Sequence, residues 1–192
     1  MRFAAGVEYD GSRFHGWQSQ GDVRTVQDAV EAAFSQVADH AISVVTAGRT
    51  DAGVHAMGQV VHFDSDAQRS NYSWQRGANT HLPRDVVITW VRPVSDDFHA
   101  RFSALERAYR YIIYNRPQRS ACFFSKVSME YRPLNLSRMQ QAAEHLVGEF
   151  DFSSFRAAGC QAHSPVREIR SMELMRELPF IYLDVRANAF LQ

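Results

Sequence analysis

Arg49 and Asp51 are the two side chains whose types and spacing most directly permit chemistry. They lie in the run Ala47-Gly48-Arg49-Thr50-Asp51-Ala52-Gly53-Val54-His55. A β-rich stretch, Ile42 to Thr46, feeds into the run, and a second, Gly58 to Phe63, leaves it. Asp51 is therefore expected in a loop at a strand end, with glycines permitting tight turns around it. An arginine close by favours the ionised carboxylate. A loop carboxylate held in that form can act as a nucleophile or a base. Arg-x-Asp in a turn also serves as a structural ion pair or an Asx-turn, and spacing alone does not choose between these readings.

The elements that must position this loop can be read from periodicity. Phe3 to Tyr9 reads as a strand ended by the turn Asp10-Gly11-Ser12. Thr25 reads as the N-cap of a helix that carries Val26, Ala29, Val30, Ala33, Phe34 and Val37 on one face. Strands are expected near Ile42–Thr46, Gly58–Phe63, Val86–Val91 and Phe98–Ser103, and a helix from Asn71 to about Ala78. Farther on, Ala108–Tyr114 alternates like a strand and Lys126–Tyr131 is a second candidate. Asn135 caps a helix with Gly148 as its stop, and Ile169–Met175 pairs with Phe180–Ala187 as a hairpin. Consecutive strands joined by short turns favour an α+β fold. The expectation is a mostly antiparallel sheet with helices packed on one face, in two similar halves (1–104 and 105–192) around a central cleft.

Composition narrows the functional classes. The formal net charge of the 192 residues is zero, so any nucleic-acid site must be a local patch. The run from Arg101 to Arg119 holds five arginines and one acid, Glu106, and is the clearest such patch. The 20 arginines against a single lysine, Lys126, suit phosphate recognition, although genomic base composition produces the same bias. Cys122 and Cys160 form no CxxC pattern, and His55 and His62 share no convincing face, so no disulfide framework, metal or cofactor is expected. No apolar run approaches the ~20 residues of a membrane span. The N-terminus starts in a strand-like pattern without a signal peptide. A cytoplasmic protein is the expectation.

Several stretches together resemble the TruA-type tRNA pseudouridine synthases, which isomerise uridines in the anticodon stem-loop. They are Val7-Glu8-Tyr9-Asp10-Gly11, Gly16-Trp17-Gln18, Val26-Gln27, the Ala47–His55 run, Gly58-Gln59-Val60, Leu82-Pro83, Phe98-His99-Ala100-Arg101-Phe102-Ser103-Ala104, Tyr109-Arg110-Tyr111, Asp151–Arg156 and Ala187-Asn188-Ala189-Phe190. They come in the family's order from Val7 to Phe190.

The resemblance implies that Asp51 is catalytic, that Arg49 takes part in flipping the target base, and that Tyr109 packs on the flipped uracil. A tyrosine on a strand within the arginine-rich run suits such stacking, as it also suits a core. RNA-contacting segments of the family correspond to Phe98, His99, Ala100, Arg101 and Phe102, and to Gly159, Cys160, Gln161, Ala162 and His163. His99 and Arg101 suit phosphates, whereas Phe98, Phe102 and Cys160 also read as buried residues. His81 and His163 depart from the family pattern. The partners implied are tRNA and a second copy of the chain in a homodimer. The family continues past residue 192 with a helix opening on His-Met-Val-Arg-Asn, whose arginine pairs with the aspartate. The expectation is thus a synthase without its C-terminal part, catalytically dead or nearly so. The alternative is a non-catalytic RNA-binding fragment of the same fold, and an unrelated aspartate-dependent hydrolase is a distant third.

Overall fold

The computed structural model describes residues 1–156, 160 and 162–191. Among them the chain is α+β, with nine strands, three α-helices and two short 3-10 turns. It divides into two compact units, Met1–Ala104 and Leu105–Gln192.

The first unit is a four-stranded antiparallel sheet in the order β2-β3-β1-β4, where β1 is Arg2–Tyr9, β2 Val45–Thr46, β3 Ala56–Asp64 and β4 Val86–Val94. Two helices, α1 (Val26–Ala38) and α2 (Asn71–His81), complete it. Thr25 caps α1 as its type suggests: Oγ1 accepts from the Asp28 amide at 3.3 Å and donates to the Asp28 carboxylate. The apolar stripe of α1 then enters a core with alternate residues of β1 and β3, including Val7, Tyr9, Val61 and Phe63. Phe34 stacks on Phe63 at 4.4 Å between centroids, and Trp74 of α2 meets Phe63 at 5.1 Å. Asn79 clasps β4 by accepting from the Ile88 amide at 2.8 Å and donating to its carbonyl at 2.9 Å. The helix thus runs on to His81, one turn beyond the expected Ala78.

Of the expected strands of this unit, one is reduced to its last two residues and one is absent. Ile42 and Val44 are buried, yet their amides bond side chains of α1, Ser35 Oγ at 2.8 Å and Glu31 Oε1 at 2.9 Å, instead of a neighbouring strand. Only Val45–Thr46 joins the ladder. Phe98–Ser103 is a compact turn, with the Ser103 amide bonded to the His99 carbonyl at 2.7 Å.

The second unit is a five-stranded sheet in the order β6-β5-β9-β8-β7. Its strands are β5 (Arg107–Asn115), β6 (Ser128–Glu130), β7 (Gly148–Asp151), β8 (Val166–Glu177) and β9 (Phe180–Ala187). Only β5 and β6 pair in parallel. The helix α3 (Leu136–Glu144) docks on β8 through Gln140, which accepts from the Leu174 amide at 3.0 Å. Gly148 is not the stop of α3. Its φ of +124° opens β7 four residues after the helix ends. Phe152, Ile169, Ala187 and Leu191 form the core of this unit, so the apolar run at Phe190-Leu191 is consumed by packing.

Candidate active site

Asp51 sits at the tip of the loop between β2 and β3. The Asp51-Ala52-Gly53-Val54 segment is a β-turn closed by the Val54 amide on the Asp51 carbonyl at 3.2 Å. Gly53, with φ +81°, occupies the third position, where a type II turn requires a positive φ. The loop is tied down on both sides of this tip. Ala47 donates to the Val60 carbonyl at 2.8 Å, and Gln59 Nε2 donates to the Gly48 carbonyl at 2.6 Å. Thr50 is buried; its Oγ1 meets Tyr9 Oη at 2.7 Å, and its carbonyl accepts from the Trp17 amide at 2.9 Å.

The chain from Asp10 to Trp17 forms the other wall of this frame. The Gly53 amide donates to the Phe14 carbonyl at 3.3 Å, and the Gly11 amide to His55 Nδ1 at 3.1 Å. Two glycines make the approach possible. A Cβ on Gly11 would fall 1.9 Å from the Val54 carbonyl oxygen. Gly16 has φ +88°, and its Cβ would fall 2.7 Å from the Thr50 oxygen. Sequence reasoning passed over Gly11, Gly16, Tyr9 and Thr50 as supports; the signal was the pair of glycines in the segment between β1 and Trp17.

Asp51 and Arg49 are both exposed. Among the described residues, no ion pair joins them and no hydrogen bond reaches the Asp51 carboxylate. The structural ion pair and the Asx-turn left open by the spacing are therefore not formed. Both charges are presented to solvent from a rigid base.

The Phe98–Phe102 turn attaches near the other end of β3. His62 on that strand is buried and its Nδ1 accepts from the Ala100 amide at 3.1 Å. Burial, reinforced by Arg2 and His99, pushes the His62 imidazole below its usual pKa. Ala100 is buried too, but Phe102 is 77% exposed and stacks on His99 with centroids 4.3 Å apart. The core reading of Phe102 is thus overturned, because the turn has no ladder to carry its ring inward. Arg101 lies over the Phe102 ring at 5.8 Å. Six residues of β3 at about 3.3 Å each separate His62 from the Asp51 end, roughly 20 Å. Within the first unit, then, these residues and Asp51 are not one cluster.

In the second unit, Tyr109 on β5 is half-buried and meets Phe190 edge-on at 5.0 Å. Asn188 holds that contact in place: it bonds Glu168 through its amide at 3.1 Å and its side-chain oxygen at 3.2 Å, and Arg107 Nη1 reaches its carbonyl at 2.8 Å. Cys160 is half-buried against the second core alongside Ala162. Arg156 clamps both by donating to their carbonyls at 2.9 and 2.7 Å. His163 is exposed. Gly159 and Gln161 lie outside the described residues.

The arginine run after residue 100 is less positive than its count suggests. Arg110 forms a two-pronged pair with Asp184 at 2.6 Å, which holds that carboxyl below its ordinary range. Among the described residues no group of three or more His, Cys, Asp or Glu side chains could hold a metal ion, and no helix is long and apolar enough to cross a membrane.

Known proteins decide the family. A family model described as tRNA pseudouridine synthase matches residues 5–103 and 142–192. The tRNA pseudouridine synthase A of Alcanivorax borkumensis is 56% identical over 191 residues, spanning 99% of this chain and 72% of that protein. The same-named proteins of Coxiella burnetii and Escherichia coli O1:K1 are each 52% identical, over 190 and 189 residues, covering 73% and 70% of their lengths. The chain belongs to the tRNA pseudouridine synthase family. It is thereby an isomerase by kinship, of the class that turns uridine into pseudouridine. The matched stretches of the tRNA pseudouridine synthase model include the whole Asp51 loop and the Phe98–Phe102 turn, while Tyr109 falls between them.

Proposed function

We propose that this chain isomerises uridine to pseudouridine in the anticodon stem-loop of tRNA, with Asp51 as the catalytic carboxylate. The observation that carries the reading is the unpartnered, exposed carboxylate on a loop clamped at Ala47, Gly48, Thr50 and Gly53. The reaction breaks the C1′–N1 bond, turns the uracil and forms a C1′–C5 bond; the C5 proton leaves to solvent and N1 gains one. A single charged group, held still and free of internal partners, suits that task, since a carboxylate already bonded elsewhere must first be released.

Arg49 displaces the target base and Tyr109 stacks on it. The stack of half-buried His99 on exposed Phe102, with Arg101 beside it, contacts the RNA, as does the segment 159–163. The protein works in the cytoplasm as a homodimer.

The test is Asp51→Asn, assayed by tritium release from tRNA carrying 5-tritiated uridine. Turnover falls below detection while tRNA binding persists. Retained turnover by the variant would remove Asp51 from the reaction.

A further inference from the structure

Arg13, Arg24 and Arg84 meet around an open pocket of about 460 Å³ that Asp10 and Asp85 also line. Arg13 comes from the 3-10 turn Gly11–Arg13, Arg24 from the segment before α1, and Arg84 from the α2–β4 turn. The turns carrying Arg13 and Arg84 are tied together by the Asp10 amide on the Asp85 carbonyl at 3.0 Å.

The charges of the pocket are unequally committed. Arg24 grips Asp85 with both terminal nitrogens, at 2.9 and 2.7 Å, and lies over the Phe14 ring at 4.0 Å. Asp10 accepts from the amide and hydroxyl of Ser12 at 3.0 and 2.6 Å and stands 3.1 Å from His55 Nδ1. Both carboxylates thus have local partners. Arg13 and Arg84 are exposed, and among the described residues neither makes a hydrogen bond or a close ion pair, although the Arg13 charge acts on Asp85 at longer range. Two guanidiniums with unused donors over a concave surface whose acids are already hydrogen-bonded attract an anion, and the planar fork of arginine matches phosphate oxygens.

Position indicates which anion. Asp10 lines the pocket, and the adjoining Gly11 bonds His55 and lies against Val54, three residues after Asp51. The pocket is open and ringed by charge, unlike the enclosed, apolar-lined cleft that captures a free small molecule. It suits a phosphate on a polymer that is held at other points as well.

We propose that Arg13 and Arg84 form a phosphodiester-binding subsite that docks the RNA backbone beside the Asp51 loop. This rests on the reading of the chain as a tRNA-modifying enzyme. The subsite touches the backbone and not the reacting nucleotide, so its contribution is to binding that ground state and transition state share.

The experiment compares the complete wild-type protein with Arg13→Gln, Arg84→Gln, the double variant and the corresponding lysine variants. Each is assayed for affinity to an unmodified tRNA transcript over a salt series, and for initial rates of pseudouridine formation. The double glutamine variant should bind roughly tenfold more weakly, with the loss in KM. The slope of log affinity against log salt should shrink by about 0.7–0.9 per lost contact. Lysine should restore the slope. Arg76→Gln, at an exposed arginine of α2, should leave the slope and rate at wild-type values. An unchanged slope and KM in the double variant, or an equal loss with Arg76→Gln, overturns the subsite. So does inorganic phosphate that saturates the pocket in competition with nothing on the tRNA, which would assign it to a free anion. A wild-type protein that binds with the predicted slopes but forms no pseudouridine would overturn the catalytic reading and leave the subsite standing.

Discussion

Arg49 and Asp51 bear charges that no neighbour among the described residues neutralises, and that separates a structural role from a functional one by measurement. Arg49→Gln should leave the unfolding free energy within the small range of exposed substitutions, about ±0.5 kcal/mol, yet lower kcat/KM by at least an order of magnitude. A matching loss of stability would return Arg49 to the structural reading. His62 makes the opposite case, a buried titratable group with a structural task. Its depressed pKa means that the folded chain binds fewer protons than the unfolded chain, whose histidine titrates near ~6.5. Stability from this group is therefore full above about pH 6.5 and is lost as pH falls through the lower, folded value. Asn at this position keeps an acceptor for the Ala100 amide but does not titrate. Urea midpoints taken at about pH 7.5 and about pH 5.5 should drop less for His62→Asn than for wild type. Equal drops would place the acid sensitivity elsewhere.

At the scale of elements, the frame of the aspartate loop depends on two backbone positions without side chains. Gly16→Ala meets both a positive φ and the Thr50 oxygen, and should cost about 1–3 kcal/mol. It should also lower kcat more than KM, because the displaced carbonyl is that of Thr50, the residue before Asp51, and its bond from the Trp17 amide holds the loop. Gly53→Ala has open space around it and should cost less, through its φ alone. At the N-terminus of α1, Thr25→Ala removes the cap and should cost about 1 kcal/mol, read as a lowered urea midpoint with catalysis intact.

The elements that were legible in sequence are those whose neighbours obey the same period. α1 carries its apolar residues at helical spacing and β1 sends Phe3, Ala5, Val7 and Tyr9 to the same core, and β5, β8 and β9 pair along most of their lengths. Ile42–Val44 deceived because burial was read as pairing, whereas Glu31 and Ser35 satisfy that backbone from the side. Phe98–Ser103 alternates like a strand, but its amide at Ala100 is taken by a histidine 38 residues earlier, and no local pattern announces that. For the same reason Asp51 was legible and its supports at Tyr9, Gly11 and Gly16 were not: the loop's own composition shows a turn, but not what the turn leans on.

At the scale of the whole molecule, a formal charge of zero leaves RNA affinity to local groups. Affinity for tRNA should fall steeply with salt because releasing counterions into a more concentrated solution gains less entropy; an affinity insensitive to salt would count against charge-led recognition. A homodimer with a self-complementary interface should sediment at twice the chain mass at micromolar concentration, and a monomer there would count against it. The order of strands carries a further consequence, for how the molecule is made. β1, the earliest strand, lies between β3 and β4, so residues 2–9 have both ladder partners only once residue 94 has left the ribosome. β9, the last strand, fills the gap between β5 and β8, so the second sheet stays split in two until its final segment arrives. One sheet waits for its edges and the other for its centre. Pulse-labelled hydrogen exchange during synthesis should therefore find the amides of β1 protected while those of β5 still exchange freely, giving the aspartate loop its frame before the second sheet exists.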